Sequence, residues 1–240
     1  VNPTTNAVQG ELASTPRLFA MNSETAYSSY ALIVTRNGST YSGGTGRNNC
    51  NLGDLRFIGH RVNDIIHLPD PTRVVKYPHI AMRGFKGTTD AGHDGEGRDD
   101  QLTHVQRGYT IKGSSIYTDN TTNHYQPWRV FDGRVGAGGW LSSGVANTYG
   151  GAGTTYGTAR SANLGTDSGG SATPENGEWL KIQMPHKIIL SHIRMSGTPD
   201  TTAHPKSFKI YGSNNGTSWV ELISVTNTGV LGTTVGTRFD

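Results

Sequence analysis

The sequence predicts an all-β protein. Three observations carry this. No long window shows helical apolar spacing, the chain is rich in Gly, Ser, Thr and Asn, and its last third alternates apolar and polar residues between turn signals. Hydrophobic residues make up 33% of the 240 and charged residues only 16%, against roughly 25% charged in an average domain. Gly, Ser, Thr and Asn take up the difference, and they favour turns and short strands over helices.

Residues 1–20 are polar and are expected to be extended or poorly ordered. Residues 27–35 read as a strand, with Tyr30, Leu32 and Val34 on one face. A Gly/Asn-rich loop covers 37–51, and 52–59, with Leu55 and Phe57, gives a second strand. His67-Leu68-Pro69-Asp70-Pro71 is a breaker, because proline cannot donate to a ladder. Residues 74–82 suggest a short extended piece, and Gly/Asp-rich 84–101 reads as loop or linker. Residues 109–117 are strand-like, 126–133 end in a turn, and Trp140-Leu141-Ser142-Ser143 follows. A long polar excursion spans 144–177, and structureless loops of that length are often functional.

The last third is the most informative. Leu180, Ile182 and Met184 alternate with Trp179, Lys181 and Gln183, so one strand face is apolar. Residues 188–195 give the next strand. Residues 208–213 lead into Asn215-Gly216, a hairpin signal because such turns need positive φ.

Composition also excludes function classes. Net charge is +3 with Lys and Arg scattered, whereas a nucleic-acid protein concentrates them on one element. No apolar run approaches the roughly 18 residues of a membrane span. Cys50 is the single cysteine, so no intrachain disulfide forms, which leaves secretion open. Three Asn-x-Ser/Thr triplets, at Asn37, Asn120 and Asn215, are expected by chance in such a composition. The chain starts at Val1 with no visible signal peptide, as a processed or trimmed product would.

Enzyme motifs fail on their context. Asp167-Ser168-Gly169-Gly170 resembles a serine-protease nucleophile motif. The tempting histidine, His204, follows the serine instead of preceding it. The acidic stretch from His93 to Asp100 lacks the spacing of an EF-hand or a zinc helix, and neither Gly43–Gly46 nor Gly136–Gly139 has the Lys-Ser/Thr ending of a phosphate cradle. No pair of carboxylates suggests glycoside hydrolysis.

Read together, 108–225 resemble the discoidin domain, also called the coagulation factor V/VIII type C domain. The pieces, in order, are a strand ending in Ser114-Ser115, the Phe131-Asp132-Gly133 turn, Trp140-Leu141-Ser142-Ser143, the Trp179–Pro185 strand, and the hairpin from Phe208 to Trp219. The resemblance implies a jelly-roll β-sandwich whose loops at one end bind glycans, lipids or proteins. The family's usual closing strands are missing after Val225. Ala26-Tyr27-Ser28-Ser29-Tyr30-Ala31-Leu32-Ile33-Val34 fits the first of them, and Gly53-Asp54-Leu55-Arg56-Phe57-Ile58-Gly59 fits the second. The expected organisation is therefore an N-terminal β segment over 1–66, a linker or loop region over 67–107, and a discoidin-like jelly roll over 108–240. The N-terminal segment closes the chain's own sandwich, or a neighbour's by strand donation, or is the tail of an upstream copy in a tandem array. Closure within the chain is the first expectation, because a jelly roll lacking a central strand exposes unpaired backbone and core.

The resemblance implies sites. Asp132 is the one carboxylate that carries over to a structural calcium, although an Asp-Gly turn without metal reads equally well. Sugars stack on aromatic rings and pair with forked donors, which selects His124, Tyr125, Trp128, Arg134, Tyr149, Tyr156, Arg160 and His204. Each of these singly also suits a plain surface or core role. Trp128, Trp179 and Trp219 in particular read as core or edge packing. The expected function is non-enzymatic, either glycan binding or assembly with another protein chain, with strand exchange or a homo-oligomer as a further expectation. The resemblance extends to repeat-containing surface and capsid-associated proteins of large DNA viruses, and to carbohydrate-binding accessory modules of secreted bacterial enzymes. Either implies an extracellular or virion-surface location.

Overall fold

A computed structural model describes residues 17–37, 49–62, 75–83, 102–117, 125–133, 139–142, 177–198, 203–226, 228 and 231. Its strands are β1 (Arg17–Ala20), β2 (Ala26–Asn37), β3 (Asn51–Leu52), β4 (Asp54–Arg61), β5 (Val75–Tyr77), β6 (Thr103–Gln106), β7 (Tyr109–Gly113), β8 (Trp140–Leu141), β9 (Glu178–Ser196), β10 (Pro205–Ser213) and β11 (Val220–Val225). A 3₁₀ turn, Pro127–Phe131, lies between β7 and β8. The fold is an all-β, antiparallel, discoidin-like sandwich.

Strand β9 is its spine. Residues 179–184 and 188–195 form one continuous strand through Pro185, instead of the two strands expected. Its first half is flanked by β2 and β7, so that Leu180 faces both Leu32 and Gly113. Its second half is flanked by β1 and β4, so that Ile193 faces both Phe19 and Phe57. Pro185 lies where these neighbours change, a place where a missing N–H costs no ladder bond.

The N-terminal strands close the sandwich within the chain. Strand β2 lies between β9 and β10, with Leu32 opposite Leu180 on one side and Ile210 on the other. Strand β4 pairs with β9 from Asp54↔Ser196 to Arg61↔Ile188. The guanidinium of Arg17 donates to the Thr228 carbonyl, so the start of β1 lies beside the residues that follow β11.

The core explains the pairing. Tyr30, Leu32, Phe57, Ile182, Ile193, Phe208 and Ile210 are fully buried in one cluster. Tyr30 of β2 meets Phe57 of β4 at 5.7 Å between ring centroids, and Phe19 of β1 meets Phe208 of β10 at 5.0 Å. These contacts join strands that are not hydrogen-bonded neighbours. Burying a side chain such as Leu32 contributes about 1.5–3 kcal/mol, so the apolar face of β2 drives it into this slot.

Three expectations change. The polar start of the chain supplies β1, because Phe19 finds a partner in Phe208. The short extended piece expected over 74–82 forms β5, which pairs with β4, whereas β6 arises elsewhere in the region 67–107, expected as linker or loop, and pairs with β7. The strand expected over 109–117 stops at Gly113, because the Ser114 N–H donates to the Trp179 carbonyl and the next residues turn towards Glu178.

The two hairpin turns follow local chemistry. Arg107 and Gly108 have φ of 50° and 80°, the pair of positive angles that a two-residue hairpin loop of this hand requires. At the other hairpin Gly216 has φ of 74°, and the Asn215 Oδ1 accepts from the N–H groups of Thr217 and Ser218 at 3.0 and 2.8 Å.

Candidate functional site

Two tyrosines meet beside β8. The Tyr117 N–H donates to the Leu141 carbonyl at 2.8 Å, and the Leu141 N–H donates to the Tyr125 carbonyl at 3.3 Å. One strand residue thus holds both tyrosine segments. Their rings lie 6.1 Å apart and tilted by 53°. Tyr117 is 37% exposed and Tyr125 is half-buried. The pair presents aromatic surface to solvent on a fixed backbone.

Behind the tyrosines is a buried polar wall. The Trp140 Nε1–H donates to the Ser115 carbonyl at 2.8 Å. The hydroxyls of Ser114 and Ser115 both donate to Glu178 Oε2, the latter at 2.7 Å. Glu178 is fully buried at the start of β9, so these hydroxyls offset the cost of removing a carboxylate from water. Cys50 exchanges bonds with Ser142, from its N–H to Ser142 Oγ at 2.8 Å and from the Ser142 N–H to its own carbonyl at 2.9 Å. Burial pushes the Cys50 thiol well above its ordinary pKa, and the charge of Glu178 adds to this.

A second aromatic group follows along the chain. His104 stacks on Trp128 at 5.2 Å, and the Arg129 guanidinium lies 5.5 Å from the same ring. The Trp128 Nε1–H donates to Gln126 Oε1 at 2.7 Å. Trp128 is half-buried against the core, in line with a packing role. Trp179 is buried and Trp219 partly so, in a small cluster with Ala31, Ile33 and Tyr211.

Among the described residues, two of those selected from the sequence meet an aromatic partner: Tyr125 meets Tyr117 and Trp128 meets His104. His204 is 1% exposed, and its Nε2 lies 2.8 Å from the Thr198 carbonyl and 3.0 Å from the Thr198 nitrogen. Its ring packs against Gly197 inside the fold. Asp132 caps the 3₁₀ turn through its N–H, which donates to the Arg129 carbonyl. His124, Arg134, Tyr149, Tyr156 and Arg160 lie outside the described residues, as do Ser168 and the acidic stretch 93–100.

Sequence reasoning missed Tyr117 and Glu178. Tyr117 was absorbed into the strand 109–117. The signal was its place beyond Ser114-Ser115, where the alternation of β7 ends. Glu178 carried no signal, since a glutamate before a strand ordinarily faces solvent.

The arrangement offers aromatic faces, a guanidinium and amide groups. Among the described residues no three of His, Cys, Asp and Glu converge to hold a metal. The buried serine hydroxyls are committed to Glu178.

Comparison with known families agrees with the topology. Residues 143–240 match the F5/8 type C domain. This is the discoidin family that the C-terminal strands resemble. No curated protein and no solved structure matches the chain. The F5/8 type C match covers less than half of the sequence and takes in β9, β10 and β11. Strands β2, β4 and β7, which flank β9, lie before it. F5/8 type C domains are binding modules for carbohydrate, lipid or protein, typically without catalysis, and occur in extracellular or surface proteins. No described helix is long and apolar enough to cross a membrane.

Proposed function

We propose that this chain is a non-enzymatic glycan-binding module of a surface assembly, built as one sandwich from its N- and C-terminal strands. The observation that carries the reading is the Tyr117–Tyr125 pair, held through Leu141 and half open to solvent beside the F5/8 type C strands. Sugar rings present C–H faces that stack on such aromatics. The virion surface of a large DNA virus is the setting that the chain's composition and discoidin resemblance favour.

A glycan array with purified protein tests the reading. Binding to a defined sugar class, lost on Tyr117→Ala and Tyr125→Ala with the melting temperature nearly unchanged, supports it. Base-sized aromatic stacking contacts are worth about 1–3 kcal/mol, so a loss of about tenfold or more is expected. Silence across galactose, fucose and glucosamine ligands counts against it. A protein partner instead shows as an interface above roughly 1,000 Å² with another chain.

A further inference from the structure

Strand β4 carries a buried ion cluster where the family resemblance implies a calcium ion. Arg56 Nη2 lies 2.7 Å from Asp54 Oδ1, and its Nε donates to Asp54 Oδ2 at 3.1 Å. The pairing is a two-point fork from residues on the same face of one strand. Arg194 faces Arg56 across the ladder, and its Nη2 reaches Asp54 Oδ2 at 3.5 Å. Asp54 is 1% exposed and Arg56 8%. Two guanidinium groups thus share one carboxylate, leaving the cluster with one net positive charge.

That charge faces the Phe131-Asp132-Gly133 turn. A Cβ placed on Gly133 would lie 3.5 Å from Arg56 Nη2 and 3.6 Å from Ala81 Cβ. Gly133 has φ of 81°, so glycine suits both the space and the backbone. The Met82 N–H donates to the Phe131 carbonyl at 2.9 Å, tying the same turn from its other side. Calcium needs six to eight oxygens around one point. Here Asp54 has both oxygens engaged by arginine, and Asp132 is not a free carboxylate either. Among the described residues, those at this turn do not fit a calcium ion.

We infer that Arg56 supplies the positive charge that holds the 131–133 turn, in the place a metal ion would take. The proline fixes the start of the 3₁₀ turn, Arg56 fixes its end, and Tyr125, Trp128 and Arg129 are carried between or beside these anchors. This role is independent of whether the tyrosine pair holds a glycan.

Thermal melts of the full chain in millimolar calcium and in EGTA test the first half. The two curves are expected to agree within about 2 °C. A calcium site of the affinity usual in extracellular modules would raise the midpoint by more than that at saturation, and such a rise overturns the inference. Amide exchange tests the second half. In Arg56→Met and Arg56→Lys, exchange over 126–133 is expected to speed up while β11 keeps its protection, with lysine failing to rescue because it lacks the fork. Unchanged protection over 126–133, or full rescue by lysine, overturns the assignment. If neither variant folds, amide exchange of the unaltered chain still bears on the assignment: a 126–133 segment no better protected than the exposed edge strand β11 overturns it, and the calcium comparison decides whether a metal takes that place.

Discussion

Leu32 lies directly opposite Ile210 in the antiparallel pair of β2 and β10. A residue from the first sixth of the chain thereby sits in a strand placed between two strands, β9 and β10, that come from the last third. The F5/8 type C segment by itself would leave β9 and β10 with a gap between them. The N-terminal strand fills the gap, and both of its edges are satisfied.

This makes Leu32 a sensitive position. It is fully buried, and Leu32→Ala is expected to destabilise the protein by about 2–5 kcal/mol. Chemical denaturation followed by tryptophan fluorescence measures this. A cost below about 1 kcal/mol would show that β2 is not a structural part of the sandwich.

Gly108 should tolerate no side chain. Its φ of 80° is left-handed, and an added Cβ would lie 2.9 Å from Pro185 Cβ. Gly108→Ala is expected to cost about 1–2 kcal/mol from backbone strain alone. In a Pro185→Gly background the cost should shrink but not vanish, because removing the Pro185 Cβ relieves only the crowding. A double-mutant denaturation cycle separates the two parts.

Stability should fall at high pH. Burial pushes the Tyr109 hydroxyl up from about 10 to about 12, opposed by its hydrogen bond with His79 and by the charge of Arg61. Tyr30 is raised too, again mainly by burial. The folded state therefore holds these protons more tightly than the unfolded chain. Their stabilising contribution is complete below pH 10 and declines as pH rises towards 12. Tyr109→Phe is expected to flatten the decline in part, leaving the share of Tyr30. Urea midpoints across that range check the slope. A stability that rises with pH there would refute it.

Cys50 should be inert in the folded protein. Its burial and the nearby Glu178 charge suppress the thiolate, which is the reactive form. A thiol reagent such as Ellman's is expected to give no signal in buffer and one thiol per chain in guanidinium. Rapid native labelling would mean that the wall formed by Ser142 and Glu178 opens.

Much of the fold was legible along the chain. The alternation through Trp179, Leu180, Lys181 and Ile182 marked a strand with one apolar face, and Asn215-Gly216 marked its hairpin turn. The Tyr30, Leu32 and Val34 pattern marked β2, and its likeness to a missing closing strand pointed to where it belongs. The candidate site was less legible. Tyr125 was selected for its ring, yet its partner Tyr117 was read as strand. His204 was selected from a polar loop, yet it bonds to Thr198 inside the fold. Burial of a polar side chain depends on what other segments bring to it, and local pattern carries no record of that.

The sequence alone determined the all-β class, the apolar faces of strands such as β2 and β9 and the Asn215-Gly216 turn, because side-chain alternation and turn chemistry act over neighbouring residues. Only the tertiary structure decided that β2 sits between β9 and β10, that β9 runs unbroken past Pro185, and that Arg56 ends up against Gly133. Every strand edge offers the same N–H and C=O groups. Which edges meet is therefore settled by how the apolar faces of distant segments pack into one core.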